Sequence, residues 1–164
     1  MGVVEPKQKV NDPEIKKRIY DYIVKHPGLH FSELSRKLKI PKSTVNYYLH
    51  NLKKNGFIIT RRDKRYTRYY ADGLLGTFDV KIIDLIRQDV PSKIIFYLFS
   101  HPGSSQIEIS RYLDKHPTTI SFHLEKLISS DILECNPMGN KIHYNLKHQK
   151  YISNLIDKYG NDDF

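Results

Sequence analysis

Apolar residues recur at helical spacing in Ile15, Ile19, Tyr22 and Ile23, and the pattern stops at His26-Pro27-Gly28, where proline and glycine end a helix. A second helix follows, with Leu34 and Leu38 facing inward, and a few turn residues lead into a third, Lys42 to Asn55, whose inward stripe is Val45, Leu49 and Leu52. The period then changes to that of strands: FIIT (57–60) and RYTRYYA (65–71) flank the polar tip Arg61-Arg62-Asp63-Lys64 and predict a hairpin.

The same rhythm returns further along the chain. HPGLHFSELSRKLKIPKSTVNYYLHNLKKNGFI, from His26, aligns without a gap on HPGSSQIEISRYLDKHPTTISFHLEKLISSDIL, from His101, at a constant offset of 75. Identities include the HPG turn, Glu33 with Glu108, Ser35-Arg36 with Ser110-Arg111, Leu38 with Leu113, Thr44 with Thr119, and Leu49 and Leu52 with Leu124 and Leu127. The offset also carries Tyr22 onto Tyr97 and Tyr69 onto Tyr144. In the second copy Ile94, Ile95, Leu98 and Phe99 mark the first helix, Ile109 and Leu113 the second, and Ile120, Leu124 and Leu127 the third. Ser105 and Glu108 have capping-box spacing, with His30 in place of the serine in the first copy. ILEC and KIHYNL flank the tip Asn136-Pro137-Met138-Gly139-Asn140. There Ile142, Tyr144 and Leu146 alternate toward one face, which by offset turns Thr67, Tyr69 and Ala71 inward and Tyr66, Arg68 and Tyr70 outward.

Helix, helix, turn, third helix and hairpin is the order of a winged helix-turn-helix. The HPG turn, the STVNYYLHNL pattern and the RYYADG hairpin exit resemble the ArsR-like and MarR-like winged-helix transcriptional regulators, particularly archaeal proteins with two winged helices in tandem. The resemblance runs from roughly Ile15 to Leu146 and implies a mainly α fold with small β-hairpin wings (α+β), in two tandem winged helix-turn-helix domains. The expected division is a flexible N-terminus at 1–13, a first winged-helix domain at 14–73, a helical linker at 74–89, a second domain at 90–146 and an amphipathic C-terminal helix at 147–160.

Charge then separates the two copies. Residues 1–75 hold 17 Lys or Arg against 7 Asp or Glu, whereas 76–164 hold 10 against 11, so the net charge of +9 lies wholly in the first half. That asymmetry points to a polyanion engaged mainly by the first module. An α-helix fits the major groove, and the third helix would present Lys42, Ser43, Thr44, Asn46, Tyr47 and His50 on its outer face. The resemblance implies that Ser43, Thr44, Asn46 and Tyr47 approach bases or nearby phosphates, with Asn46 the candidate for a bidentate bond to adenine, while Lys42, Lys53 and Lys54 touch phosphates. The stretch RRDKRYTRYY becomes the wing, lying along the backbone or tipping an arginine into the minor groove, in which Arg61, Arg62, Lys64, Arg65 and Arg68 neutralise phosphates and Tyr66 and Tyr70 donate hydroxyl hydrogen bonds to them. About six such contacts make affinity fall on the order of a hundredfold or more between low and moderate salt.

The second copy lacks this chemistry. Its tip has no charge before Lys141, and Glu125 stands where the first copy has His50. Thr118, Thr119, Ser121, His123 and Lys141 are candidates for weaker contact, and positioning or subunit pairing is the favoured role. Outside the repeats, Phe78, Val80, Ile82, Ile83, Leu85 and Ile86 form a linker stripe expected to pack one module against the other. Tyr151, Ile152, Leu155, Ile156 and Tyr159 form a second stripe that serves either as intrachain core or as the seam of a homodimer, which a palindromic DNA site would match.

Double-stranded DNA is therefore the expected partner, and the expected function is sequence-specific transcriptional regulation. No cofactor or metal site is implied, and Cys135, standing alone, reads as a half-buried strand residue. There is no H-E-x-x-H, glycine-rich phosphate loop or nucleophile elbow, so an enzyme is the weakest reading. No separate sensing domain is evident, the small-molecule effector is unknown, and the space between modules stays open to one. The absence of an apolar leader or span predicts a cytoplasmic, nucleoid-associated protein. The alternatives are a winged-helix interaction or transcription-machinery subunit and a sequence-independent chromatin-like binder, because fold alone does not decide among them.

Overall fold

The computed structural model describes residues 12–63 and 65–160, and the chain divides into two units, 1–75 and 76–164. In the first unit α1 (Pro13–Lys25) is capped by Asp12, whose carboxylate accepts the Glu14 N–H at 2.9 Å. It is followed by α2 (Phe31–Leu38), α3 (Lys42–Lys54) and an antiparallel hairpin, β1 (Ile58–Arg62) and β2 (Thr67–Ala71). In the second unit α4 (Thr77–Ile86) leads into α5 (Asp89–Ser100), short β3 (Ser104–Ser105), α6 (Gln106–Leu113) and α7 (Pro117–Ser129). The hairpin β4 (Leu133–Met138) and β5 (Lys141–Leu146) and the terminal helix α8 (Gln149–Tyr159) complete it. The fold is mainly helical with small antiparallel hairpins, the α+β class that the repeat predicts.

Matched hydrogen bonds run through both units. The His26 amide donates to Tyr22 O at 2.8 Å and the His101 amide to Tyr97 O at 2.9 Å, closing each first helix. The Gly28 amide then donates to Tyr69 O at 2.9 Å, and Gly103 to Tyr144 O at 3.0 Å. Gly28 and Gly103 have φ of 81° and 75°, a left-handed conformation that explains the glycine of each HPG turn. Ser35 Oγ donates to Ile40 O at 2.7 Å and Ser110 Oγ to Lys115 O at 2.5 Å, tying each second helix to the entry of the third. The Glu33 carboxylate accepts the His30 amide at 2.9 Å, and Glu108 accepts the Ser105 amide at 2.7 Å, so the acidic half of the cap survives where histidine replaces serine.

Each unit has its own core. Ile19, Ile23, Leu34, Val45, Leu49 and Leu52 are buried together in the first, with Tyr48 beside them at 2% exposure. The Tyr48 hydroxyl accepts the Asp12 amide at 2.6 Å, so the third helix also holds the start of the first. In the second unit Ile94, Ile95, Leu98, Ile109, Ile120, Leu124 and Leu127 form the centre. The stripe of α4 contributes Ile82, Leu85 and Ile86 to this same core, and α8 contributes Ile152, with Leu155 and Ile156 packed against it. Phe78 and Tyr151 stack at 6.0 Å between ring centroids, and the Tyr151 hydroxyl donates to Asp79. Both segments outside the repeat therefore have intrachain work in the second unit.

Several local expectations are corrected. Arg61 and Arg62 are paired strand residues, and Asn136 to Met138 likewise lie in β4, leaving Gly139-Asn140 as the second tip. Strand pairing imposed by the partner overrides the weak propensity of these residues. Cys135 is exposed rather than half-buried.

Candidate nucleic-acid interface

The outer face of α3 follows from its inner one. With Val45, Tyr48, Leu49 and Leu52 buried, helical periodicity turns Lys42, Ser43, Asn46, Tyr47 and His50 to solvent, and all five are exposed, with Thr44 half-buried. No acidic residue lies in the first turn of α3, so the positive end of the helix dipole and Lys42 are not offset there. Lys53 and Lys54 are exposed in the last turn. Tyr47 meets Tyr48 edge-on at 5.2 Å, which directs its ring from a fixed base while 43% of the residue stays exposed.

Beside this helix in the same unit, the hairpin exposes Arg61, Arg62, Arg65 and Tyr66. Asp63 builds the turn: its Oδ1 accepts the amides of Arg65 and Tyr66, both at 2.8 Å. The Tyr66 ring stacks on His30 at 4.3 Å and 9° between planes, which ties the wing to the start of α2. Burial lowers the His30 pKa despite the opposing pull of Glu33, so the ring is neutral at pH 7 and adds stacking surface rather than charge. Lys64 lies outside the described residues.

Arg68 and Tyr70 depart from their expected outward positions. Arg68 is 4% exposed and Tyr70 0%. The Arg68 guanidinium donates through Nε to Asp63 Oδ2 at 3.0 Å and through Nη1 to Gly28 O at 2.9 Å. An isolated bridge between His30 and Arg68 lays the chain before α2 alongside β2 and encloses that face. Arg68 is therefore enclosed in the first unit and held by Asp63 and Gly28 rather than turned outward. Burial alone would raise the Asp63 carboxyl, but the Arg65 and Tyr66 amides and the Arg68 side chain outweigh it and hold the pKa below the usual value. Tyr69, expected inward, is half-buried against the first core, and its hydroxyl pKa is raised by burial.

The corresponding surface of the second unit has a different chemistry. Thr118, Thr119 and Lys141 are exposed, and Ser121 and His123 are half-buried. His123 turns Nδ1 into the protein, and its pKa is lowered first by burial and then by Lys126, so it supplies no cation at pH 7. Phe122 and Met138 are exposed where the first unit has Tyr47 and Asp63, and the exposed Glu125 replaces His50. Among the described residues no group of three or more His, Cys, Asp or Glu could hold a metal ion, and no helix is long and apolar enough to cross a membrane.

Residues 13–79 match the family profile of an N-terminal HTH domain, which spans the whole of the first unit's helices and hairpin. The first unit is thus similar to an N-terminal helix-turn-helix domain. The chain is also 29% identical over 157 residues to an uncharacterized HTH-type transcriptional regulator of the archaeon Methanocaldococcus jannaschii. That match takes in 94% of this chain but 37% of the relative, so the chain spans little more than a third of the curated protein it matches. Among solved structures, the AntR antimony-specific transcriptional repressor aligns with 46% of this chain and 68% of its own, at 21% identity and a TM-score of 0.43. Streptococcus pneumoniae FabT in complex with DNA aligns with 69% of this chain and 76% of its own, at 23% identity and a TM-score of 0.34.

Proposed function

We propose that the protein is a sequence-specific double-stranded DNA-binding transcriptional regulator whose first unit reads the major groove with α3 and holds the backbone with its wing. The observation that carries this reading is the pairing of two exposed surfaces in one unit: the polar face of α3 and the hairpin bearing Arg61, Arg62 and Arg65. The wing arginines and Lys42, Lys53 and Lys54 neutralise phosphates, which fixes register without reading sequence. Ser43, Asn46, Tyr47 and His50 then face base edges, and Asn46 offers both a donor and an acceptor to adenine. Thr44, half-buried at the first turn, fits a phosphate beside the helix N-terminus better than a base. The HTH-type regulator of similar sequence supports the same reading. The second unit, near neutral overall and with Glu125 on its α7 face, serves as a positioning module.

Selection of bound duplexes from a random DNA library, at low and moderate salt, tests the proposal. An enriched motif is expected, and its symmetry will show whether one chain or two engage it. Salt-sensitive binding without a motif would identify an architectural binder instead, and absence of binding would transfer the surface to a protein partner. Asn46→Ala is expected to relax preference at one position of that motif by about 1–3 kcal/mol while leaving the salt slope unchanged. Competition titrations with single-base variants of the motif check it. An equal loss on every sequence would assign Asn46 to the backbone.

A further inference from the structure

The two wings share their backbone anchors. Gly28 and Gly103 donate to Tyr69 O and Tyr144 O, and His30 and Ser105 pair with Arg68 and His143 on the later strand. These anchors hold the inner end of each hairpin, and a two-stranded ribbon beyond them is marginal by itself. In the first unit that outer end bears Arg61, Arg62 and Arg65, like charges that repel one another. There the Tyr66 ring, at the exit of the turn, stacks on His30 at 4.3 Å with 9° between planes. The Tyr66 amide donates to Asp63 Oδ1 at 2.8 Å, its carbonyl accepts the Asp63 amide at 3.0 Å, and Arg68 Cζ lies 6.0 Å from its ring centroid. A ring held at Tyr66 therefore also holds the turn that begins at Asp63, with Arg65 inside it and Arg62 next to it.

The second unit supplies the comparison. At the offset of 75, Ser105 stands for His30 and the exposed Lys141 for Tyr66, so its wing has no ring pair at this place. Ser105 makes the better helix start: its Oγ accepts the Glu108 amide at 3.4 Å and donates to the Glu108 carboxylate at 2.7 Å. Serine is a preferred residue at a helix N-cap and histidine is not. The module thus folds with serine, and capping does not explain the histidine of the first unit. What the histidine adds is a flat, half-buried ring placed against the wing that bears the arginines.

We infer that His30 is a positioning residue for DNA binding: stacked on Tyr66, it holds the wing and its arginines in their binding arrangement before DNA arrives. The DNA part of this inference rests on the function proposed above. Ordering a loose wing on binding would cost affinity, and a wing ordered beforehand avoids that loss. His30 itself needs no contact with DNA.

The test compares the full chain with His30→Ser, which installs the second unit's residue, and His30→Phe, which keeps a ring. Backbone 15N relaxation without DNA comes first. The Arg61, Arg62 and Arg65 amides are expected to be rigid in the parent and in His30→Phe, with order parameters of about 0.85, and to fall below about 0.6 in His30→Ser. Serine should leave the melting temperature within roughly 5 °C of the parent, since the cap it restores offsets the stacking it removes. On the selected duplex His30→Ser should bind about tenfold more weakly, with the same motif and the same salt slope because no phosphate contact is lost, and His30→Phe should recover most of that affinity. An equally rigid wing in His30→Ser, or a phenylalanine variant as weak as the serine one, would overturn the inference. So would a changed salt slope, which would make His30 a direct contact, or a large drop in melting temperature with the wing unmoved, which would make it a residue of the fold alone. The relaxation measurement needs no DNA, which keeps two failures apart: a parent that binds no duplex overturns the function proposed above and with it the DNA part, whereas a wing that stays ordered with serine overturns the positioning role.

Discussion

Replacing Arg61, Arg62 and Arg65 together with alanine is expected to weaken binding to every DNA sequence by roughly a hundredfold or more at low salt, without changing the selected motif. Each arginine that neutralises one phosphate adds about 0.9 to the slope of log affinity against log salt, so removing three should flatten that slope by about two to three. All three side chains are exposed, on β1 and at the start of the return to β2, and none belongs to the buried core. The variant should therefore melt within roughly 5 °C of the parent, as surface substitutions away from buried features do. Binding isotherms at four or more salt concentrations, read beside thermal melts, check both halves. A normal affinity with a normal slope would remove the wing from the interface; a lost motif with an unchanged slope would mean that these arginines read bases.

The surfaces in this prediction were legible in the chain for a definite physical reason. Helical periodicity assigns Val45, Leu49 and Leu52 to one side of α3, and the opposite side then has to contain Ser43, Asn46, Tyr47 and His50. Tyr48 was harder to place, although it stands three residues after Val45 and four before Leu52, because its hydroxyl allows either environment. Its burial is settled by a distant partner, the Asp12 amide. The repeat made the helix order and both HPG turns readable, since each turn needs the same left-handed glycine. It misled at β2, where offset alone transferred the inward face. Arg68 aligns with half-buried His143, and neither residue type is expected inside. Arg68 is enclosed because Asp63, five residues earlier, and Gly28 O, forty residues earlier, meet its guanidinium. Such convergence depends on tertiary structure and leaves no periodic trace. The stripes of α4 and α8 were legible as apolar faces, but nothing in a stripe names its partner; in the structure both supply Ile82, Ile86 and Ile152 to the second core.

Arg68 consequently carries the opposite expectation from its neighbours. Arg68→Ala should destabilise the first unit by about 2–4 kcal/mol, because it leaves the largely enclosed Asp63 carboxylate without its cation and Gly28 O without a donor. For a unit of this size that lowers the midpoint of thermal unfolding by roughly 10–20 °C. Arg68→Lys should recover little, since one ammonium cannot reproduce the divergent bonds to Asp63 and Gly28 that the planar guanidinium makes. Replacing both partners with apolar residues, Asp63→Ala with Arg68→Met, should cost less than Arg68→Ala combined additively with Asp63→Ala, because it removes the buried charges together. The pair also gives the first unit an acid dependence. Asp63 has a lower pKa folded than unfolded, so its contribution is complete above the unfolded value and is lost as pH falls through the folded one. Urea unfolding at pH 7 and pH 3, followed by amide signals of the first unit, measures both effects. If Arg68→Ala left stability unchanged while weakening DNA binding as the exposed arginines do, the guanidinium would belong to the interface after all.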